Sequence, residues 1–218
     1  MLNNSYKQKH GEYFEYSRVE MRPFVPVGLK RMLDVGCGQG NFSRYFKDSA
    51  AVETWGIEMM PEAAGKAEAV LDRVFCGDFK LVAPTLPQNS FDAVIFNDVL
   101  EHMLEPELAL KDTLGLLGPN GVVVASIPNF IFWPNLRQII TTKDWQYTDA
   151  GILDRTHLRF FTRKSILRLF ASAGYDVEQC VGINSYPWTW RSRWLYTLFR
   201  AQFGDFCPAQ YAIVARAR

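Results

Sequence analysis

Apolar and polar positions follow two alternating periodicities along the chain. Short, largely apolar runs are typical of strands covered on both faces, and they predict strands at residues 31–35, 51–58, 73–78, 91–98, 122–128, 175–183 and 210–217. Between them, apolar residues recur three and four positions apart, as on one face of a helix. Such stretches follow Asn41, Met60, Glu105 and the expected N-cap Thr162. This alternation predicts an α/β fold, a doubly wound, mostly parallel seven-stranded sheet with helices on both faces.

Three segments do not fit the alternation of strands and helices. They are residues 1–30, 129–161 and 184–209. Long insertions in a compact domain usually serve as lids or binding loops. We therefore expect a single domain over residues 1–218, with an N-terminal cover at 1–30 and lid insertions at 129–161 and 184–209.

Composition narrows the class of protein. A chain of 218 residues with 48% apolar residues and a net charge of +1 can bury one sizeable core and has no global field that would attract nucleic acid. The beginning of the sequence has no apolar signal region, and no run reaches the ~18 apolar residues of a membrane span. The four cysteines lack zinc-ligand spacing. We expect a cytoplasmic protein with no metal site and no nucleic-acid partner.

A glycine-rich turn joins the first strand to the first helix. It reads LDVGCGQG, residues 33–40, with glycines at 36, 38 and 40. Backbone N–H groups at a helix N-terminus bind nucleotides in general. The dinucleotide fingerprint puts its third glycine three positions after the second, whereas here the interval is two and Asp34 precedes the turn. A carboxylate at this place favours a ligand with positive charge over a pyrophosphate. A protein that binds a dinucleotide, namely an NAD-dependent oxidoreductase, is the alternative.

This turn resembles the first motif of class I S-adenosylmethionine-dependent methyltransferases. Further matches follow in order across about residues 30–183, namely Glu58, CGDF (76–79), FDAVIFNDVLEHM (91–103) and LLGPNGVVVASIPN (116–129). The resemblance implies a Rossmann-like methyltransferase fold, S-adenosylmethionine as cofactor and methyl transfer as activity.

The resemblance also implies roles for single residues. Glu58 would accept hydrogen bonds from the ribose hydroxyls and Asp78 from the adenine amino group, while Phe79 would flank the adenine ring or pack in the core. Cys37 is expected to fill space in the turn. The cofactor-binding set expected on this basis is Asp34, Gly36, Cys37, Gly38, Gly40, Glu58, Met59, Gly77, Asp78, Phe79 and Asn97.

Two histidines are candidates for a general base, which an oxygen acceptor would require. His157 lies in ILDRTHLRFFT (152–162), a string that resembles one in bacterial methyltransferases acting on small molecules and glycans. It is the first choice, with the nearby Asp154 as a group that could orient its ring, and a salt-bridged brace is the alternative. His102, just past the fourth strand, is the second choice, and its alternative is a loop brace.

The aromatic and basic residues of the lid insertions are the basis for predicting the acceptor. Aromatic faces with interleaved arginines suit a sugar ring, an aromatic molecule or an anionic group, and the substrate candidates are Trp133, Arg137, Arg155 and Arg159. We expect a small-molecule or glycan acceptor, with oxygen favoured as the reacting atom. Segment 185–203 is a candidate for contact with a membrane surface or a second copy. A non-catalytic cofactor-binding module that docks through this segment is the other alternative, and a lid packed on the sheet is the simplest interpretation.

Overall fold

The computed structural model describes residues 17–185 and 204–218. Its strands are β1 (Arg31–Val35), β2 (Glu53–Glu58), β3 (Arg73–Cys76), β4 (Phe91–Asn97), β5 (Leu117–Pro128), β6 (Tyr175–Ser185) and β7 (Pro208–Ala217). Its α-helices are α1 (Asn41–Ala50), α2 (Pro61–Ala67), α3 (Phe79–Val82), α4 (Pro106–Leu116), α5 (Trp133–Thr142) and α6 (Arg163–Ser172). Short 3₁₀ turns occupy Val19–Phe24, Ala83–Thr85, Leu100–His102 and Gly204–Phe206.

The seven strands form one sheet in the order β3-β2-β1-β4-β5-β7-β6. Neighbouring strands from β3 across to β5 pair in parallel, whereas β7 pairs antiparallel with both β5 and β6. The predicted α/β class and the mostly parallel seven-stranded sheet are therefore confirmed. The order also puts the carboxyl ends of β1, β2 and β4 side by side at one edge of the sheet.

Both faces of the sheet carry an apolar core. Along β4, Val94 and Phe96 belong to one cluster, while Ala93 and Ile95 belong to the other. Successive side chains of a strand point to opposite faces, so a run without polar residues is what a central strand covered on both sides requires.

Helix α6 begins where the sequence predicts. The side chain of Thr162 accepts a hydrogen bond from the Ser165 amide, and the side chain of Ser165 accepts one from the Thr162 amide. This reciprocal capping box satisfies two amide groups that a helix start otherwise leaves unpaired. Gly174, with φ of +95°, follows the helix in a left-handed conformation that suits glycine.

One local prediction was wrong. The sequence predicts that the fifth strand begins at residue 122, but β5 already begins at Leu117. Asn120 adopts φ of +64° there, and the register against β4 shifts between Phe91 and Ala93, so the segment is an irregular strand start. The predicted lid at 129–161 contains α5, which has no buried residue.

Two of the three predicted covers lie partly outside the described residues. This applies to residues 1–16 of the N-terminal cover and to 186–203, which hold nearly all of the aromatic basic segment 185–203. The described part of the N-terminal cover contributes Met21, which is fully buried in a core cluster. Within residues 17–185 and 204–218, no helix combines the length and apolarity needed to cross a bilayer.

Candidate functional site

A cavity of about 790 Å³ opens at the carboxyl ends of β1, β2 and β4. Ligands of parallel α/β sheets bind at this edge, beyond the ends of the strands. Gly40 is not among the described residues that line it. The predicted cofactor-binding residues in its wall are Asp34, Gly36, Cys37, Gly38, Glu58, Met59, Gly77, Asp78, Phe79 and Asn97.

The glycine turn after β1 brings backbone close to the cavity. Gly36 has φ of +71°, and a Cβ atom there would lie 2.7 Å from Cγ2 of Val99. Gly40 has φ of +83° as the N-cap of α1, and its Cβ would lie 2.8 Å from Cγ2 of Val70. Gly36 thus shapes the wall of the cavity, whereas Gly40 lets the chain enter the helix against a close neighbour.

The fit at Gly36 can be tested with Gly36→Ala. We expect a loss of about 2–4 kcal/mol in the free energy of unfolding, because alanine pays for the left-handed backbone and for the contact with Val99. Val99→Ala in the same chain should recover the contact part alone. Chemical denaturation of both single variants and the double variant measures the coupling. Strictly additive effects would show that Val99 does not limit the space at Gly36.

Two buried carboxyl groups face the cavity. Asp34 is 2% exposed and accepts a hydrogen bond from Ser43 Oγ at 2.7 Å. Burial raises the pKa of Asp34 to about 7, with a further rise from the charge of Glu58 and a decrease from the Ser43 bond. Burial also raises the pKa of Glu58, although the Gly38 and Met60 amides bind its two oxygens at 2.9 and 2.8 Å. Two adjacent acids that resist ionisation favour a ligand carrying positive charge and hydrogen-bond donors.

Asn97 supplies an unsatisfied amide at the end of β4. Both polar atoms of its side chain are buried, and neither has a hydrogen-bond partner within the described ranges. Buried polar groups nearly always have partners in folded proteins. Because Asn97 also lines the cavity, its donor and its acceptor are available to a ligand.

Asp78 and Phe79 close the cavity on the β3 side. Asp78 is the N-cap of α3, where its Oδ1 accepts a hydrogen bond from the Lys80 amide at 2.8 Å. Phe79 is buried and packs edge to face on Phe96, with ring centroids 5.6 Å apart. Phe79 therefore belongs to the core and also contributes to the cavity wall.

Cys37 is a packing residue by its surroundings. Its Sγ lies where a Cβ at Gly56 would approach within 2.6 Å, so its side chain fills the space against β2. Burial, with the charges of Asp34 and Glu58, raises the pKa of the Cys37 thiol well above its ordinary value. A thiol held in its protonated form is a poor nucleophile.

The two candidate bases lie in contact, but only one reaches the cavity. His102 lines the cavity, whereas His157 is buried behind it and is not a lining residue. Their ring centroids are 4.6 Å apart at an interplanar angle of 66°. His157 Nδ1 lies 3.1 Å from the Ile152 carbonyl oxygen, and its Nε2 lies 3.9 Å from Oε1 of Glu101. Of the two candidate bases, His102 is thus the one placed to contact a ligand in this cavity.

Glu101, His102 and His157 also form a group that could hold a metal ion. Each offers one ligand atom, and these atoms all lie within 4.8 Å of one another. We expect no metal site from the sequence, and this group is the place in the described structure where that expectation can be tested.

None of the four predicted substrate residues lines the 790 Å³ cavity. Trp133 and Arg137 border a separate, smaller cavity of about 310 Å³ beside α5. Arg155 pairs with Asp149 at the surface, at 2.8 Å, and Arg159 donates to the Leu104 carbonyl oxygen at 2.7 Å. Rows of aromatic and basic residues do not indicate on which side of an insertion the cavity lies.

Other residues occupy the part of the wall beyond the glycine turn. Leu104 and Leu108, four positions apart, are 65% and 44% exposed at the cavity. Arg18, from the described part of the N-terminal cover, pairs with Asp98, whose side chain also accepts hydrogen bonds from Ser126 and Gln210. The proximity of Leu104 and Leu108 to the LEH sequence was the signal that could have identified this wall.

Comparisons with known proteins agree with this geometry. Residues 10–180 match the family described as "Methyltransferase domain". Ubiquinone biosynthesis O-methyltransferase of Neisseria meningitidis serogroup C is 26% identical over 164 residues, which cover 71% of this chain and 67% of that protein. The protein of the same name from Coxiella burnetii is 27% identical over 166 residues, 72% of this chain and 68% of that one.

Solved structures share the whole architecture. A SAM-dependent methyltransferase from Archaeoglobus fulgidus superposes with a TM-score of 0.68 at 19% identity, over 99% of this chain and 98% of that chain. A Haloferax volcanii protein solved with the Trm112 methyltransferase activator gives 0.65 at 15% identity, over 99% and 94%. At these identities, the likeness shows the fold alone.

Proposed function

The chain belongs to the methyltransferase domain family and is an S-adenosylmethionine-dependent methyltransferase, and we propose that it methylates a hydroxyl oxygen of a small acceptor with an apolar body. The proposal rests on the position of His102. This histidine lines the same cavity as Asp34, Glu58 and Asn97. With the family and cofactor shown, the NAD-dependent oxidoreductase and the non-catalytic module are set aside.

The donors and charges of the cofactor match the groups of the cavity. S-adenosylmethionine carries an ammonium, a ribose diol and an adenine amine, all of them donors, and its sulfonium adds positive charge. We assign the binding of these groups to Asp34, Glu58, Asp78 and the amide of Asn97, which are acceptors in or on the wall. When bound, the cofactor supplies a methyl group on a cationic sulfur, which is already electrophilic.

The contribution of the chain is then to align, enclose and deprotonate. Holding two reactants in line lowers the entropic part of the barrier, and a closed cavity excludes water. A hydroxyl oxygen must lose its proton as it gains a methyl group. We assign His102 to accept that proton on ring nitrogen Nε2, which is the general base contribution expected for an oxygen acceptor.

The apolar mouth of the cavity supports the class of acceptor. Exposed leucines beside a functional cavity are typical of contact with an apolar ligand surface, and Leu104 and Leu108 lie beside His102 in the same wall. The curated relatives named ubiquinone biosynthesis O-methyltransferases support oxygen as the acceptor atom. Two of the four residues expected to suit a glycan, Trp133 and Arg137, border the other cavity, and this favours the apolar acceptor.

A panel of acceptors tests this proposal. Calorimetry should first show that S-adenosylmethionine binds. Labelled methyl groups should then appear on a phenol with an alkyl tail and not on its methyl ether, because only the phenol has an oxygen that can release a proton. The corresponding aniline and a free sugar should give little product. Methylation of the aniline or the sugar in preference to the phenol would contradict the proposal.

A pair of variants checks where the acceptor lies. Leu104→Asp should raise the KM for the phenol about tenfold, since it places a charge against the apolar ligand, and should leave the cofactor Kd unchanged. Leu81→Asp is the matched control, because Leu81 is 76% exposed and does not line the cavity. Equal effects of the two substitutions would remove the leucines from the acceptor site.

A further inference from the structure

The segment predicted to supply the base also brings Thr156 against His102, through both its backbone carbonyl oxygen and its hydroxyl. His102 Nδ1 lies 3.1 Å from the Thr156 carbonyl oxygen and 3.2 Å from Thr156 Oγ1. A carbonyl oxygen can only accept a hydrogen bond, so the close approach requires a hydrogen on Nδ1. In the neutral ring, the lone pair then resides on Nε2.

The direction of the Thr156 hydroxyl is fixed by Asp154. Thr156 Oγ1 donates to Asp154 Oδ1 at 2.7 Å, and the Thr156 amide donates to the same oxygen at 2.8 Å. Since the hydroxyl hydrogen points to the carboxylate, the lone pairs of Oγ1 face the ring of His102. Asp154 and Thr156 are both almost fully buried, so water does not compete for these bonds.

Backbone hydrogen bonds hold this arrangement against the loop that carries His102. The amides of Leu158 and Arg159 both donate to the Glu101 carbonyl oxygen, at 2.9 and 3.0 Å. The two sequence motifs, LEHM and ILDRTHLRFFT, thus form one unit although they lie some fifty residues apart. A base held from two sides by separate segments keeps its orientation more precisely than one on a single loop.

We propose that Asp154 and Thr156 are positioning residues that hold His102 with its proton on Nδ1 and its lone pair on Nε2. The inference rests on the proposed function, in which Nε2 takes the proton of the acceptor hydroxyl. When that proton arrives, the ring becomes a cation. The bond from Nδ1 to Thr156, backed by the carboxylate of Asp154, becomes charge-assisted and stabilises it.

His157 and Glu101 complete the surroundings of the base. His157 Nδ1 approaches the Ile152 carbonyl oxygen, so its ring also carries the hydrogen on Nδ1 and turns Nε2 toward Glu101. The ring of His157 packs edge to face against the ring of His102, with centroids 4.6 Å apart. His157 therefore acts as a brace in this arrangement, with no direct part in the proton transfer.

Substitutions at Thr156 test the positioning. Thr156→Val keeps the shape of the side chain and removes Oγ1, and we expect kcat to fall about tenfold while the acceptor KM and the cofactor Kd change less than twofold. Thr156→Ser restores the hydroxyl and should restore most of kcat. Asp154→Asn should lower kcat as well, because a neutral amide stabilises the cationic ring less. In a His102→Gln chain, Thr156→Val should have no further effect on kcat.

Nitrogen NMR reads the tautomer without any turnover. Two-bond ¹H–¹⁵N spectra of histidine-labelled protein should show His102 protonated on Nδ1, with its signals assigned by their loss in His102→Gln. The Nε2-protonated tautomer in the wild-type protein would overturn the inference, as would an unchanged kcat in Thr156→Val or a loss that serine does not restore. Because the spectrum needs no acceptor, it separates a failure of the positioning from a failure of the proposed O-methylation.

A metal ion at the neighbouring group would give a different result. If Glu101, His102 and His157 bind a metal, Nε2 of His102 is a ligand and cannot accept the proton. A chelator should therefore leave kcat unchanged, and mass spectrometry should find no stoichiometric metal in active protein. Activity lost to the chelator and regained with a divalent transition metal would overturn the role given to Thr156 and Asp154.

Discussion

Asp34→Asn is expected to give a protein that is more stable and binds S-adenosylmethionine less well. Burial raises the pKa of Asp34 from 3.8 to about 7. The stability that the protonated carboxyl contributes is complete below pH 4 and is lost as the pH rises to about 7. At pH 8, the ionised buried group therefore costs on the order of 4 kcal/mol. Asparagine carries no charge, so we expect the free energy of unfolding of the variant to exceed that of the wild-type protein by about 1–3 kcal/mol at pH 8. This difference should disappear near pH 4.

The same substitution should weaken binding of the cofactor at least tenfold at pH 8. A cationic ligand favours the ionised form of Asp34, and binding below pH 7 must therefore release a proton. The affinity of the wild-type protein should rise with pH up to about 7 and then level off, whereas that of the variant should respond far less. Calorimetry in buffers of different ionisation enthalpy measures the released proton, and thermal melts from pH 4 to 8 measure the stability.

Asp72→Asn is the matched control for this experiment. Burial tends to raise the pKa of Asp72, but hydrogen bonds from Thr54 and the charge of Lys47 outweigh it and lower the pKa. Neutralising a group that prefers its charged form should lower stability and leave cofactor binding unchanged, since Asp72 does not line the cavity. If Asp34→Asn lowered stability like this control, the electrostatic account of Asp34 would be wrong.

His102→Gln should lower kcat by about 10²–10⁴-fold and leave the cofactor Kd within twofold. A glutamine amide can still donate to the Thr156 carbonyl oxygen, but it cannot accept a proton at neutral pH. Methyl transfer under saturating conditions, followed across pH, measures the effect. Acceptors whose hydroxyl is already ionised should lose much less rate, because they need no base.

The variant His157→Gln tests whether His157 is the general base or a structural residue that supports His102. His157 is buried beside Glu101 and behind His102, so the substitution should lower the midpoint of thermal unfolding more than His102→Gln does and lower kcat less. The opposite ranking, with the larger loss of kcat in His157→Gln, would return the base to the histidine that the sequence favoured.

The sequence predicted those features that depend on neighbours in the chain. Asp34 and the glycines lie in one turn, and Glu58 ends the next strand, so strand periodicity and a local motif suffice to bring them to one edge of the sheet. The capping box at Thr162 is likewise written in four consecutive residues. Each of these rests on rules with short range along the chain.

The choice between the histidines depends on contacts of long range. His102 and His157 are fifty-five positions apart, and their order at the cavity is set where residues 158 and 159 bind the Glu101 carbonyl oxygen. No periodicity in either segment encodes that contact. The placement of Trp133 and Arg137 beside a different cavity could not be predicted for the same reason, because composition gives the chemistry of a surface and not the direction in which its helix faces.

The position of β7 has a consequence for the order in which the chain can fold. β7 comes after β6 in the sequence but lies between β5 and β6 in the sheet. In the described sheet, β7 is the one strand with which β6 pairs. During synthesis on the ribosome, β6 therefore has no strand to pair with until residues 208–217 have emerged. Residues 31–128 already contain every strand that borders the cofactor half of the cavity. The strands around the cofactor site can thus pair early during synthesis. The far edge of the sheet is completed last, when β7 pairs with β5 on one side and β6 on the other.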